Sequence, residues 1–144
     1  MSKFGNLKQY EIDPTKSVKY SITDIEMGGK TPYLMVKPAT QTNKPYTKAQ
    51  LKSSNQRIQR QAAKGISLEG LEANREDDKA HYPKFIITGW GNVFDDEGND
   101  VPFTVENCAE FLEALPDWVF DGVRAFCSVP TNFADEADEE DVGN

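Results

Sequence analysis

Residues 17–38 read SVKYSITDIEMGGKTPYLMVKP, and two strand-like runs in this stretch set the architecture. In the first run, every second residue from Val18 to Ile22 is apolar, which is the period of a half-buried strand. The glycine pair Gly28-Gly29 then marks a turn, and the apolar run Tyr33–Val36 follows it. The pattern predicts an antiparallel unit that is marginal alone and must pack on another element. Residues Tyr10–Ile12 are a candidate third strand.

The middle of the chain carries the signals of two helices. Thr47-Lys48-Ala49-Gln50 has the form of a capping box, and the helix that it opens is predicted to end near Lys64, before Gly65. Ser67 can cap a second helix, which starts near Leu68. Pro83 is expected to kink or interrupt this second helix, because proline lacks the backbone N–H and crowds the preceding turn.

Two amphipathic helices are predicted near the C-terminus. Thr104 caps the first of them, and its apolar face is Val105, Cys108, Phe111, Leu112 and Leu115. Pro116-Asp117 starts the second, and its apolar side is Trp118, Val119, Val123, Phe126 and Cys127. Upstream, the apolar run Phe85–Ile87 fits either a buried helix or a strand.

The predicted fold is therefore α+β, with a small N-terminal antiparallel β unit and a mainly helical C-terminal part. One domain is expected over residues 1–133, β-rich over 7–40 and helical over 47–128. Residues 134–144 form an acidic tail that we expect to be disordered. The 144 residues suffice for one core, and the mean hydropathy of −0.64 argues against a membrane protein.

Charge and cysteine content bound the function. Residues 1–64 hold twelve Lys/Arg and four Asp/Glu, whereas residues 65–144 hold four and twenty. Such opposite charges can attract within one chain or steer contacts between copies, and net acidity makes nucleic acid an unexpected partner. Cys108 and Cys127 are expected to be buried free thiols in a reducing compartment. With no secretory signal at the N-terminus, the cytoplasm is the expected location.

No catalytic, cofactor-binding or metal-binding residue is predicted. The run Gly28–Thr31 is similar to the end of a phosphate-binding loop, but Asp24 stands where that loop needs glycine. Residues 95–106 have the length of a calcium loop, yet the position that requires glycine is Asp100. His81 and Cys108 are a candidate base and nucleophile, but nothing in the sequence places them together.

A partner-binding surface is the remaining candidate site. The helix after Thr47 has a thin apolar stripe and a basic polar face, so it is either loosely docked or its burial is completed by a partner helix. Large aromatic residues of the C-terminal half can serve as anchors for a partner. The predicted partner-binding residues are Leu51, Arg57, Ile58, Arg60, Trp90, Phe103 and Trp118.

Residues 74–107 resemble a family of small bacteriophage proteins that includes tail assembly chaperones. The resemblance lies in Asn74–Asp78, Gly89–Val93, an Asp-Glu-Gly turn, Val101–Thr104 and Glu106-Asn107. It implies a non-enzymatic role in which the chain binds the tape measure protein, keeps it soluble and helps to recruit tail tube subunits. A structural virion component, such as a head decoration or head–tail connecting protein, is the alternative. A nucleic-acid-binding role for the basic helix 48–64 is a third hypothesis.

Overall fold

The computed structural model describes residues 3–61 and 68–134. Within these residues there are four α-helices, three strands and two short 3₁₀ helices. The strands are β1 (Val18–Ser21), β2 (Tyr33–Val36) and β3 (Ile87–Gly91). The α-helices are α1 (Lys44–Gln61), α2 (Leu68–Phe85), α3 (Val105–Ala114) and α4 (Asp117–Cys127). The 3₁₀ helices are Gly5–Tyr10 and Pro130–Phe133.

The sheet is antiparallel with the order β1-β2-β3, and the predicted α+β class is confirmed. Between β1 and β2 the glycine pair forms a tight turn, in which Met27 and Lys30 exchange backbone hydrogen bonds of 2.8 and 2.9 Å. Gly28 and Gly29 have φ angles of +56° and +75°, which favour glycine because a side chain would crowd the backbone there. Gly28–Thr31 is thus a hairpin-like turn.

The third strand is not Tyr10–Ile12, as predicted, but β3 from the middle of the chain. The segment Gly5–Tyr10 is a 3₁₀ helix with no buried residue, so Tyr10 belongs to a short helix outside the core and adds no strand to the sheet. The ambiguous run Phe85–Ile87 divides between two elements, because Phe85 ends α2 and Ile87 begins β3. The range 47–128, predicted to be helical, therefore contributes one strand.

Helix α1 begins earlier than the predicted capping box. Asn43 is buried and its Oδ1 accepts a hydrogen bond from the backbone N–H of Tyr46 at 3.3 Å, as an N-cap residue does. Pro45 fits the first turn because the N–H that it lacks would have no helical partner there. Thr47 is already inside the helix, and its hydroxyl donates to the Thr40 carbonyl at 3.3 Å. The predicted helix end at Lys64-Gly65 lies outside the described residues.

Helix α2 continues through Pro83 for two further residues, so the predicted interruption is wrong. Pro83 is buried beside Tyr82, which is 1% exposed, and this packing outweighs the hydrogen bond that proline cannot make. Helix α2 packs against α1, α3 and β3 and so stands at the centre of the fold. The predicted cap Ser67 lies outside the described residues.

Helices α3 and α4 complete the core. The Thr104 hydroxyl accepts a 2.9 Å hydrogen bond from the backbone N–H of Asn107, which confirms the predicted cap. The buried residues of the two helices are Cys108, Phe111, Leu112, Val119, Phe120, Val123 and Cys127. Val105 is exposed instead of buried, contrary to the prediction, and so is Trp118, which is also among the predicted partner-binding residues.

Two further expectations concern the chain's ends and its environment. Residues 135–144, almost all of the predicted acidic tail, lie outside the described residues. No helix in the described part of the chain is both long and apolar enough to cross a membrane.

Candidate partner-binding surface

The Asp78 carboxylate lies buried where α1, α2 and α4 meet. Its Oδ1 accepts a 2.8 Å hydrogen bond from the Tyr46 hydroxyl of α1, and its Oδ2 accepts one of 2.8 Å from Nε of Arg124 in α4. A buried carboxylate is tolerated only when it is paired in this way. Burial and the Asp78 charge raise the pKa of Tyr46, so its hydroxyl remains a donor at every physiological pH. The pairing joins the three helices.

Asp121 extends this network along α4. The guanidinium of Arg75 donates from Nε and Nη2 to the two carboxylate oxygens of Asp121 at 3.0 and 2.9 Å, which is the bidentate geometry that arginine favours. Nη1 of Arg124 adds a third bond at 3.2 Å. The hydrogen bond from Arg75 lowers the pKa of Asp121 below its ordinary value. Helix α2 is therefore tied to α4 by charge as well as by core packing.

Lys79 connects α2 to both C-terminal helices. Its ammonium lies 3.2 Å from Oε1 of Glu76, 3.4 Å from Oδ1 of Asp117 and 3.7 Å from Oε2 of Glu113. The lysine side chain is only 8% exposed, while the three carboxylates remain largely in solvent. A buried stem with its charge at the edge of the core is the usual way in which a helix junction accommodates lysine.

Arg57, one of the predicted partner-binding residues, is engaged within the chain. Its guanidinium pairs with the Asp77 carboxylate and donates to Oδ1 of Asn74, and its side chain is 18% exposed. Here the basic half of the sequence meets the acidic half, on the adjacent helices α1 and α2. Every residue of the Asn74–Asp78 segment has thus a partner on the same or another helix. The sequence indicated only a charged stretch, because the partners of all but Glu76 lie 17 to 46 residues away.

Trp90 and Phe103, also predicted to bind a partner, meet each other in the fold. Their rings are 5.2 Å apart and nearly perpendicular, and Trp90 makes a second edge contact with Phe111 at 5.3 Å. The indole N–H of Trp90 donates to the Val101 carbonyl at 2.9 Å. Both rings are half-buried and line a surface groove of about 410 Å³ that also contains Pro102. They serve internal packing and still present an edge to solvent.

The glycine after Trp90 has a steric role. A Cβ on Gly91 would lie 2.4 Å from the ring of Tyr33, so the absence of a side chain lets the tyrosine cross β3. The next residue, Asn92, has a φ of +59°, and its Nδ2 donates to the Thr31 carbonyl at 3.1 Å. The Gly-Trp-Gly-Asn segment is therefore a packing unit that joins the turn before β2 to the end of β3.

Trp118 and Leu51 are the predicted residues that present most of their side chains to solvent, at 64% and 56% exposure. Trp118 lies in the first turn of α4, about 100° around the helix axis from the buried Val119. Ile58 and Arg60 belong to α1 by their backbone, but their side chains lie outside the described residues. The structure therefore divides the predicted set: Arg57 is enclosed, Trp90 and Phe103 are half-buried, and Trp118 and Leu51 are available.

An exposed apolar edge at the N-terminus escaped the sequence analysis. Leu7 and Tyr10 are 60% and 62% exposed on the 3₁₀ helix Gly5–Tyr10, and Phe4 before it is 70% exposed. Side chains three residues apart overlie each other in a 3₁₀ helix, so these three share one edge. The spacing of three between these apolar residues could have predicted the shared edge, but it does not match the alternation of a strand.

No hydrogen bond joins the candidate base His81 to the candidate nucleophile Cys108 in the described part of the chain. His81 Nε2 lies 3.1 Å from the Ser53 hydroxyl at the α1–α2 contact, whereas Cys108 is fully buried in the core. The Asp95 carboxylate accepts hydrogen bonds from the backbone N–H groups of Glu97 and Asn99 at 2.9 and 2.8 Å, so its turn is closed by protein donors. Within residues 3–61 and 68–134, no three metal-ligating side chains are grouped to hold an ion.

Comparison with known proteins gives one family. The family model described as YdaY prophage protein matches residues 41–144, which include helices α1 to α4 and strand β3. No curated protein and no solved structure matches the chain. The matched range contains the charged Asn74–Asp78 segment and the Gly-Trp-Gly-Asn packing unit. Strands β1 and β2 precede it.

Proposed function

We propose, since the chain belongs to the YdaY prophage protein family, that it is a non-enzymatic phage assembly protein acting in the host cytoplasm. In its most specific form, the proposal is a tail assembly chaperone that binds the tape measure protein and helps to recruit tail tube subunits. The family match gives the phage origin. The assembly role is supported by the resemblance of residues 74–107 and by the surface chemistry of the fold.

The exposed indole of Trp118 is the observation that carries this proposal. It stands on the first turn of α4, next to Asp117, whose carboxylate is held by Arg75 at 3.5 Å and by Lys79 at 3.4 Å. A tryptophan on a fixed helix loses little freedom when it is covered, and such residues dominate binding energy at protein interfaces. Because 64% of the Trp118 side chain is exposed, a partner that covered the indole would remove a large apolar area from water.

Helix α1 supports the same role with a different chemistry. Leu51 is 56% exposed, and the lysines one turn before it and one residue after it, Lys48 and Lys52, are exposed as well. This arrangement fits a partner helix with an apolar stripe and acidic flanks, and the tape measure protein is a long helical chain. Association between copies of the chain is the other use of these side chains.

Co-expression with the tape measure protein encoded in the same prophage tests the proposal. We expect the two proteins to co-purify and the soluble fraction of the tape measure protein to rise. Trp118→Ala should weaken the complex by about thirtyfold or more, because hot-spot residues contribute about 2 kcal/mol or above. The unfolding midpoint of the Trp118→Ala variant should stay close to that of the wild type, since the indole is exposed.

Val129→Ala is the matched control. Val129 is also exposed and lies beyond the opposite end of α4, which rises about 14 Å from Trp118 to Cys127 at 1.5 Å per residue. An equal loss for both variants would indicate a non-specific apolar contact. Absence of any complex with wild-type protein would refute the chaperone. Mass spectrometry of purified virions separates the alternative, because a fixed copy number in particles would make the chain a structural component.

A further inference from the structure

A pocket of about 320 Å³ opens where the loop before α1 meets the end of α2. Three lysines line it: Lys37, Lys44 and Lys84. None of these ammonium groups forms an ion pair within residues 3–61 and 68–134, although the same part of the chain pairs Arg57, Arg75, Lys79 and Arg124. The other lining residues are Pro14, Thr15, Thr42, Asn43, Pro45 and Phe85.

Backbone contacts bring the three lysines together. The N–H of Lys37 donates to the Ile86 carbonyl at 2.8 Å, which places Lys37 beside the last turn of α2 where Lys84 lies. The Asn43 amide donates to the Phe85 carbonyl at 3.1 Å, which brings the start of α1 and Lys44 to the same place. These contacts place the three lysines close together independently of how their long side chains are arranged.

The pocket is prepared for an anion by more than its lysines. It lies at the N-terminus of the 18-residue helix α1, where the helix dipole favours negative charge, while Asn43 caps the Tyr46 N–H and Pro45 has no N–H to offer. The first turn of α1 contains no acidic residue that would satisfy this end. Three like charges around one cavity repel each other, so an anionic occupant removes an unfavourable interaction as well as adding a favourable one.

We propose that the acidic segment 135–141 of the same chain docks on this lysine pocket. Charge complementarity selects it, since six of its seven residues are Asp or Glu. The described chain also ends in the right region. The Ala39 N–H donates to the Cys127 carbonyl at 2.8 Å, so the end of α4 lies against the segment that leads from Lys37 to α1.

The segment begins beside α4, whose last residue, Cys127, bonds to Ala39. Phe133 packs on Phe126 with ring centroids 5.8 Å apart, so the described chain stays beside α4 until Ala134. At about 3.3 Å per extended residue, residues 135–141 can span roughly 20 Å. A short tether keeps the local concentration of the segment in the millimolar range, at which several weak ion pairs suffice for occupancy. The contact does not depend on the proposed assembly role.

A spin label on the Val142→Cys variant of the 144-residue chain tests the contact by NMR. Cys108 and Cys127 are fully buried, so the label attaches selectively at the new position. We expect paramagnetic broadening of the backbone amide signals of Lys37, Lys44 and Lys84. High salt should remove most of it, because at about 1 M ionic strength charges interact over only about 3 Å.

Two variants and one mixed sample decide the outcome. Combining Lys37→Gln, Lys44→Gln and Lys84→Gln should abolish the broadening, and the pair Lys48→Gln and Lys52→Gln, on the same helix but outside the pocket, should leave it. Neutralising the six carboxylates to Asn and Gln should give the same loss without touching the pocket.

No broadening, or broadening that survives the triple substitution, would overturn the proposal. Equal broadening when spin-labelled unenriched chain is mixed with isotope-enriched chain lacking the label would assign the pocket to a second copy and also overturn it.

Discussion

The hydroxyl of Tyr46 donates a 2.8 Å hydrogen bond to the buried carboxylate of Asp78. A second tyrosine, Tyr82, lies against Tyr46 with ring centroids 5.8 Å apart and is 1% exposed, but its hydroxyl has no hydrogen-bond partner in the described part of the chain. Two neighbouring buried tyrosines therefore differ in one respect, the pairing of the hydroxyl. This contrast allows the hydrogen bond to be measured.

Tyr46→Phe is expected to lower the free energy of unfolding by about 1–3 kcal/mol, because it leaves one oxygen of a buried carboxylate without its donor. Tyr82→Phe removes a hydroxyl that has no such partner and is expected to be neutral or slightly stabilising. Urea denaturation of the two variants measures both values. Equal losses would mean that the Tyr46–Asp78 bond contributes nothing beyond ring packing.

Gly91→Ala is expected to destabilise the fold by about 1–3 kcal/mol, the usual cost of inserting a methyl group into a filled space. The new Cβ would lie 2.4 Å from the Tyr33 ring, which must then move. Gly89→Ala is the control on the same strand, since nothing lies within 4 Å of its Cβ position.

Truncation of the tyrosine ring tests the cause of the Gly91 effect. With Tyr33→Ala in place, the added methyl group meets no ring, so the two changes should cost less together than the sum of their separate costs. Thermal unfolding of the single and double variants gives the coupling. Strict additivity would place the strain elsewhere in β3.

The hydrophobic pattern was sufficient for the elements that bury one regular face. Strands β1 and β2 and helices α3 and α4 follow from it, and so does the cap at Thr104. It was insufficient where tertiary contacts decide. Pro83 remains inside α2 because it is buried, and the helix start at Asn43 depends on an amide that bonds to Phe85, 42 residues away. Such contacts leave no periodic signal.

The candidate site was predicted in part for the same reason. Exposure of Trp118 follows from its angle on α4 once the buried stripe is known, and it could have been read from the spacing of Val119 and Val123. The enclosure of Arg57 could not, because Asp77 lies on another helix. The charge asymmetry left attraction within the chain and contacts between copies as alternatives, and the Arg57–Asp77 pair is one contact within the chain.

Both cysteines are expected to resist thiol reagents in the folded protein. Cys108 and Cys127 are fully buried, and burial raises the pKa of the Cys108 thiol to about 12, so almost none of the reactive thiolate exists at pH 8. Labelling with a thiol-reactive disulfide should therefore proceed only as fast as the protein opens, and denaturant should expose two thiols at once. Rapid reaction of one thiol in native buffer would contradict the burial of that residue.

The Arg75–Asp121 pair should make stability depend on pH in a defined direction. Because the hydrogen bond from Arg75 lowers the folded-state pKa of Asp121 below 3.8, the unfolded state binds the proton more tightly. The pair's contribution is therefore fully present above the unfolded pKa and is lost as the pH falls through the folded one. Asp121→Asn should be less stable than wild type at pH 7, and the gap between their unfolding free energies should narrow as the pH approaches 2.

Solvent limits the size of the gap, since 40% of the Asp121 side chain is exposed. Glu110→Gln, at an exposed α3 position with no ion pair in the described part of the chain, should follow the wild-type curve. A gap for Asp121→Asn that widens in acid would show that the carboxylate opposes folding.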